Sequence, residues 1–133
     1  MSEDSVRLER DDGVGRIVFD RPERNNAMDR ATARSLRDAA AELASDDDCR
    51  CIVLTGVDGL FNTGADLTTL EGDGSDEPRL KSLAGTLHAF VQELSRARKP
   101  VVCGVNGVVA GGGIGTALCG DIVLMAESAR FQF

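Results

Sequence analysis

Residues 101–117 read VVCGVNGVVAGGGIGTA. Residues 101–105 form a short uncharged apolar run, the pattern of a buried strand. Asn106-Gly107 turns the chain, Gly111-Gly112-Gly113 is a glycine cluster, and residues 114–119 can be helical. Strand, glycine turn and helix start together are a unit of α/β architecture. A similar unit lies upstream, where the apolar run at residues 51–55 is followed by loop over residues 56–64. That loop ends in the turn Asn62-Thr63-Gly64-Ala65-Asp66, and residues 65–70 read as a helix start. A helix N-terminus offers unpaired N–H groups and a positive dipole end, and glycine lets a ligand approach the backbone closely. Two such donors aimed at one point could hold a developing oxyanion. The same glycines serve equally well for tight packing of helix on strand, so both readings stand at this point.

Working outward, residues 14–20 are rich in β-formers and read as a strand, paired with residues 6–9 across the turn at residues 11–15. Arg21-Pro22 breaks that strand. Asp29 can cap a helix running to about residue 44, with Ala33, Leu36, Ala40 and Leu43 on one stripe. Residues 46–48 close it as a solvated charge run. Residues 71–78, with their acidic and glycine residues, read as a surface loop. Residues 80–97 are a second amphipathic helix with Leu80, Leu83, Leu87, Val91 and Leu94 on one face. His88 sits beside that stripe and reads as a helix-surface histidine. After Lys99-Pro100 and the 101–105 strand, residues 122–126 form a further apolar strand and residues 129–133 begin another. The alternation of strands and helices predicts an α/β fold with mostly parallel pairing.

The chain has 133 residues, the size of one domain or one lobe, with 22 acidic against 15 basic residues and a net charge of −7. That balance argues against nucleic acid as a partner, because phosphate binding needs surplus Lys and Arg. It argues equally against an anionic membrane surface. Thirteen of the basic residues are Arg and only Lys81 and Lys99 are Lys, as in proteins of salt-rich cytoplasms and equally in products of GC-rich coding sequences. The longest uncharged run, residues 100–120, reaches membrane-spanning length but contains seven glycines and Asn106, so it reads as a soluble turn region. Cys49, Cys51, Cys103 and Cys119 show no C-x-x-C spacing, and His88 adds no metal partner. The expectation is reduced thiols, no metal and a cytoplasmic protein. The polar, acidic residues 1–12 do not read as a signal or transit segment.

Nucleotide-binding readings fail on spacing. The group Gly111, Gly113, Thr116 lacks the third glycine of G-x-G-x-x-G, no acidic residue follows about 20 positions later, and there is no G-K-[ST].

Four segments resemble the crotonase superfamily, the enoyl-CoA hydratases and isomerases. They are RPERNNAMD at residues 21–29, LTGVDGLFNTGADL at 54–67, KPVVCGVNGVVAGGG at 99–113 and CGDIVLMAESARF at 119–131. They stand in the family's order and cover most of residues 14–133. The resemblance implies a crotonase-like spiral of ββα units with two sheets, an acyl-CoA thioester as substrate, no cofactor beyond the coenzyme A it carries, and a homotrimer or hexamer. It places the oxyanion hole at the backbone N–H groups of Ala65 and Gly112. It also places Arg24, Asn26, Ala27, Asp66 and Leu67 along CoA, with Gly111 and Gly115 lining the substrate site. From the residues alone, Asp66 reads as a helix cap and Arg24 as a solvated charge.

The departures narrow the function. The family's hydratases carry a Glu two residues after the glycine cluster, where this chain has Gly115. Glycine cannot carry a proton. The resemblance puts a second hydratase Glu about two residues beyond Phe133, so residues 1–133 read as an incomplete domain, ending before the family's C-terminal helical part. Three readings follow. One is a double-bond isomerase whose full-length form uses a single later carboxylate. The second is a hydratase with one Glu. The third is an inactive truncated fragment lacking both carboxylates. Neither residue composition nor spacing indicates the acyl chain.

Overall fold

The computed structural model describes residues 5–69 and 76–133. A tight hairpin opens the chain. Strands β1 (Val6–Asp11) and β2 (Val14–Phe19) pair antiparallel around Asp12-Gly13, both at positive φ, the geometry a two-residue hairpin turn requires. Helix α1 (Arg30–Ser45) follows. Its N-terminus is capped by Asp29, whose Oδ1 accepts the Thr32 N–H at 2.7 Å. Ala33, Leu36, Ala40 and Leu43 are fully buried, as their spacing predicts.

Strands β3 (Cys51–Gly56), β5 (Val101–Val105) and β7 (Ile122–Met125) add in parallel to β2, giving a five-stranded sheet of order β1-β2-β3-β5-β7. A second, three-stranded sheet of order β4-β6-β8 is also parallel. Its strands are β4 (Leu60–Asn62), β6 (Val108–Ala110) and β8 (Arg130–Gln132). The chain therefore passes three times from the first sheet to the second, at β3–β4, β5–β6 and β7–β8. This is the crotonase-like α/β arrangement. Helices α2 (Asp76–Arg96) and α3 (Gly113–Ala117) complete it, and α1 packs along α2. The core lies between these layers. Phe19 of the first sheet meets Phe61 of the second edge to face, with ring centroids 5.2 Å apart, a contact that adds about 1 kcal/mol beyond area burial.

The structure corrects several local expectations. Residues 56–64 are not all loop, because β4 lies within them, and residues 65–69 of the expected helix start form no α-helix, residue 70 lying outside the described residues. Leu67–Thr69 is a single 3₁₀ turn. Strand β6 was also hidden in what reads as turn. Both strands are three residues long, too short to show a period of two. Helix α2 begins at Asp76, so residues 76–78 of the expected 71–78 loop are helical. Pro78 fits there because first-turn N–H groups have no intrahelical acceptor. Residues 71–75 lie outside the described residues. The apolar run at β7 is an edge strand, and Ile122, Leu124 and Met125 are more than half exposed.

The sheet crossings rest on side-chain amides and close backbone approach. Asn106 Oδ1 accepts the Gly56 N–H at 3.1 Å while its Nδ2 donates to the Leu60 carbonyl at 3.2 Å. Beside it, a Cβ at Gly107 would run into the Gly59 carbonyl. Lys99 Nζ donates to the Leu43 and Asp46 carbonyls at 2.7 and 2.8 Å, satisfying the C-terminal end of α1. Asp121 Oδ2 accepts the Val101 N–H at 2.8 Å. Among the described residues, no helix is long and apolar enough to cross a membrane, and all four cysteines are free thiols.

Two glycines should respond to alanine in opposite directions. Gly107→Ala should lower unfolding free energy by roughly 1–3 kcal/mol through backbone collision. Gly85→Ala, where nothing lies within 4 Å of an added Cβ on α2, should raise it by about 0.4–1 kcal/mol. Urea midpoints at unchanged slope read both.

Candidate functional site

The two glycine turns singled out in the sequence lie against one another. A Cβ built on Gly64 would stand 2.9 Å from the Gly112 nitrogen and 3.1 Å from the Ala110 carbonyl oxygen. Gly64 has φ of +91° and Gly111 of +52°, conformations that favour glycine. Each turn also presents one peptide in the same way. The Gly64 carbonyl accepts the Met28 N–H at 2.7 Å, and the Gly111 carbonyl accepts the Ile114 N–H at 3.1 Å. In a trans peptide the following N–H points the opposite way. Those N–H groups belong to Ala65 and Gly112, and neither has an acceptor among the described residues. Gly112 is exposed and Ala65 half-buried, so an added oxygen can reach them. Two unpaired donors on adjacent, tied-down loops are suited to an oxygen that gains negative charge.

The Ala65 turn is held by polar groups. Arg21 Nη1 donates to Asp66 Oδ2 and to the Ala27 carbonyl, each at 2.9 Å, and Nη2 lies 3.3 Å from Asp29 Oδ2. Asp66 Oδ1 accepts the Thr68 hydroxyl at 2.6 Å and the Thr68 N–H at 3.1 Å. The expected cap role for Asp66 therefore holds, on a 3₁₀ turn in place of an α-helix. Asp66 is 4% exposed. Burial by itself raises its carboxyl, but the hydrogen bonds from Thr68 and Arg21 outweigh it and hold the carboxyl below the usual range.

The remaining predicted residues divide. Asn26 is 1% exposed. Its Nδ2 donates to the carbonyls of Phe19, Leu60 and Phe61 at 3.1–3.3 Å, and its Oδ1 accepts the Arg21 N–H at 2.8 Å. That amide is spent inside the protein, where it holds the segment carrying Arg24 and Ala27. Arg24 is exposed, with Nη1 3.5 Å from Thr68 Oγ1. Leu67 is exposed, and Ala27 is half-buried. Gly111 and Gly115 are exposed, and a Cβ at Gly115 would meet nothing within 4 Å.

That open space belongs to a cavity of about 260 Å³ between α2 and α3. Gly112, Gly115 and Thr116 line one side, and Ala84, Leu87, His88 and Val91 the other. A larger cavity of about 380 Å³ near Asp47, Glu93 and Arg96 touches neither turn. Sequence reasoning missed Arg21, which it took only as a strand break, and Asn62. Asn62 is buried and its Oδ1 holds the Gly64 N–H at 2.9 Å. The signal for Asn62 was its place two residues before Gly64, the spacing of an Asx turn.

Comparison with known proteins gives the family. The family model described as "Enoyl-CoA hydratase/isomerase" matches residues 9–133. The chain belongs to the enoyl-CoA hydratase/isomerase family. It is 38% identical to the 1,2-epoxyphenylacetyl-CoA isomerase of Escherichia coli over 90% of this chain and 46% of that protein. It is 34% identical to a 4-chlorobenzoyl coenzyme A dehalogenase of an Arthrobacter species, over 98% of this chain and 48% of the dehalogenase. The crystal structure of a Bacillus halodurans enoyl-CoA hydratase superposes with a TM-score of 0.86 at 27% identity, covering 96% of this chain and 52% of that one. The chain thus spans about half the length of the curated relatives it matches. Within the family, members with different reactions share the half that carries the two turns.

The Arg21–Asp66 pair should be read out by pH. A carboxyl lowered in the folded state stabilises fully above its ordinary value of 3.8 and loses that contribution as pH falls through the lowered one. Asp66→Asn should cost about 3 kcal/mol at neutral pH by leaving Arg21 partly unpaired. It should also remove this part of the acid-side loss of stability. Unfolding free energies from pH 2 to 7 check both.

Proposed function

We propose that this chain carries the thioester-binding part of an acyl-CoA site. There the Ala65 and Gly112 N–H groups take the thioester carbonyl oxygen and stabilise the enolate formed when a proton leaves the adjacent carbon. The observation that carries the reading is the pair of unpaired N–H groups on the touching turns at Gly64 and Gly112. Donors fixed beforehand stabilise charge that develops in the transition state more than charge already present. The apolar cavity beside Gly112 gives the acyl chain a place, and exposed Arg24 supplies a cation for CoA phosphate. The printed names of both curated relatives specify coenzyme A thioesters, which supports the substrate class.

Within that class, double-bond isomerisation is the reaction we favour for the full-length form, because Gly115 puts no carboxylate in the cavity to activate water. A dienolate needs only a proton moved from one carbon to another. Hydration of a 2-enoyl-CoA is the second reading, and it needs a carboxylate from outside residues 1–133. The proposed assembly is a homotrimer or hexamer, which the exposed apolar side chains of Leu118, Ile122, Leu124 and Met125 support.

Incubating the native protein with a 3-enoyl-CoA should yield the conjugated 2-enoyl isomer, followed by the rise of enoyl-thioester absorbance. Water addition to a 2-enoyl-CoA without isomerisation of the 3-enoyl substrate would select the hydratase instead. Gly64→Ala, strained by its φ and pressed on the Gly112 nitrogen, should lower kcat/KM about 100-fold or more.

A further inference from the structure

The cavity beside Gly112 contains one ionisable side chain. Ala84, Leu87, His88 and Val91 stand at i, i+3, i+4 and i+7 on α2 and so share a face. That face lines the cavity opposite Gly112, Gly115 and Thr116. Three of the four are apolar, and the fourth is the only histidine in the chain. His88 is exposed, as its position beside the helix stripe predicts. Its imidazole nevertheless makes no hydrogen bond or ion pair with any described residue, so no capping or pairing role accounts for it. Across the cavity, Gly115 leaves open the space a side chain would fill. An imidazole and an apolar pocket with one open wall, beside a donor for a thioester oxygen, are the parts of a proton-transfer site.

We propose that His88 is the proton-transfer group of the acyl pocket, acting on the carbon next to the thioester carbonyl. The proposal rests on the acyl-CoA reading above and names the residue that reading leaves open. In the step, an unprotonated imidazole nitrogen accepts the proton as the Cα–H bond breaks. The electron pair of that bond becomes the enolate, with its oxygen on the Ala65 and Gly112 N–H groups. Return of the proton to the same carbon restores the thioester. Delivery to the far carbon of a dienolate gives the isomer. Nothing is oxidised or reduced, and no water is consumed.

The test uses the native protein and a saturated acyl-CoA, which can exchange its α-hydrogens but cannot isomerise. Deuterium entry at the α-carbon in D₂O is followed by NMR, and the Kd of the same thioester by calorimetry. The expected result is exchange in the wild type and a loss of about 100-fold or more in both His88→Gln and His88→Ala. The urea midpoint should stay close to wild type, because His88 has no hydrogen-bond or ion-pair partner among the described residues, and the Kd of each variant separates lost exchange from lost binding. Gln keeps the size and polarity of the side chain, so its failure separates proton transfer from packing. Exchange within threefold of wild type in His88→Gln would overturn the proposal and assign the proton to another group. A wild type that binds the thioester without exchanging would also overturn it while leaving the binding reading intact. A wild type that does not bind the thioester would remove the reading and the proposal together.

Discussion

The backbone of Gly64 lies so close to that of residues 110–112 that no side chain fits between them, and the arrangement of the site depends on this contact. It brings together two turns that stand almost fifty residues apart. The hydrogen bonds behind each turn then set the direction of its peptide. On one side the Gly64 carbonyl is tied to Met28, and on the other the Gly111 carbonyl is tied to Ile114. What remains is a pair of N–H groups whose carbonyl partners are satisfied and which are themselves unused. An unsatisfied donor is costly only when it is fully buried. These two remain accessible, so the fold can keep them ready at small cost.

Most of the polar residues in the four family-like segments turn out to hold the fold. Asn26 ties the segment after β2 to both β2 and β4, Asn106 ties the end of β3 to β4, and Lys99 caps α1. Asp121 anchors the start of β5. Each acts at the end of a strand or helix, where backbone groups lose their ladder or intrahelical partners. A fold that crosses between sheets three times has many such places, and side-chain amides and carboxylates fill them. These same crossings position the turns, so residues that never meet a ligand still decide where the donors point.

In the proposed reading the work is divided between backbone and side chains. Charge stabilisation would fall to the main-chain N–H groups of Ala65 and Gly112, which substitution cannot easily remove, and proton movement to side chains on the surrounding helices. The chain carries both unpaired N–H groups and has glycine at position 115. That combination is consistent with a family whose members include an isomerase and a dehalogenase sharing this half of the fold.

Some of this could be read before any coordinates. Alternating apolar runs and an Asp-capped amphipathic stripe established the α/β class, helix α1 and the order of the main strands, because burial imposes a period that local residues must obey. Glycine clusters marked the two turns, since positive φ leaves a residue-level trace. The three-residue strands β4 and β6 left no period to detect, and residues 65–69, which read as part of a helix start, hold a 3₁₀ turn pinned by Asp66. Arg21 looked like punctuation because its partners, Asp29 and Asp66, are distant along the chain. Asn26 looked available because its three carbonyl acceptors belong to other strands. His88 showed only its place on a helix, and what lies opposite it depends on how α2 meets α3. Sequence alone determined the periodic elements and the chemistry each residue could offer. Only the tertiary structure decided which of those groups are spent on one another and which are left for a ligand, because hydrogen-bond partners are chosen by proximity in space.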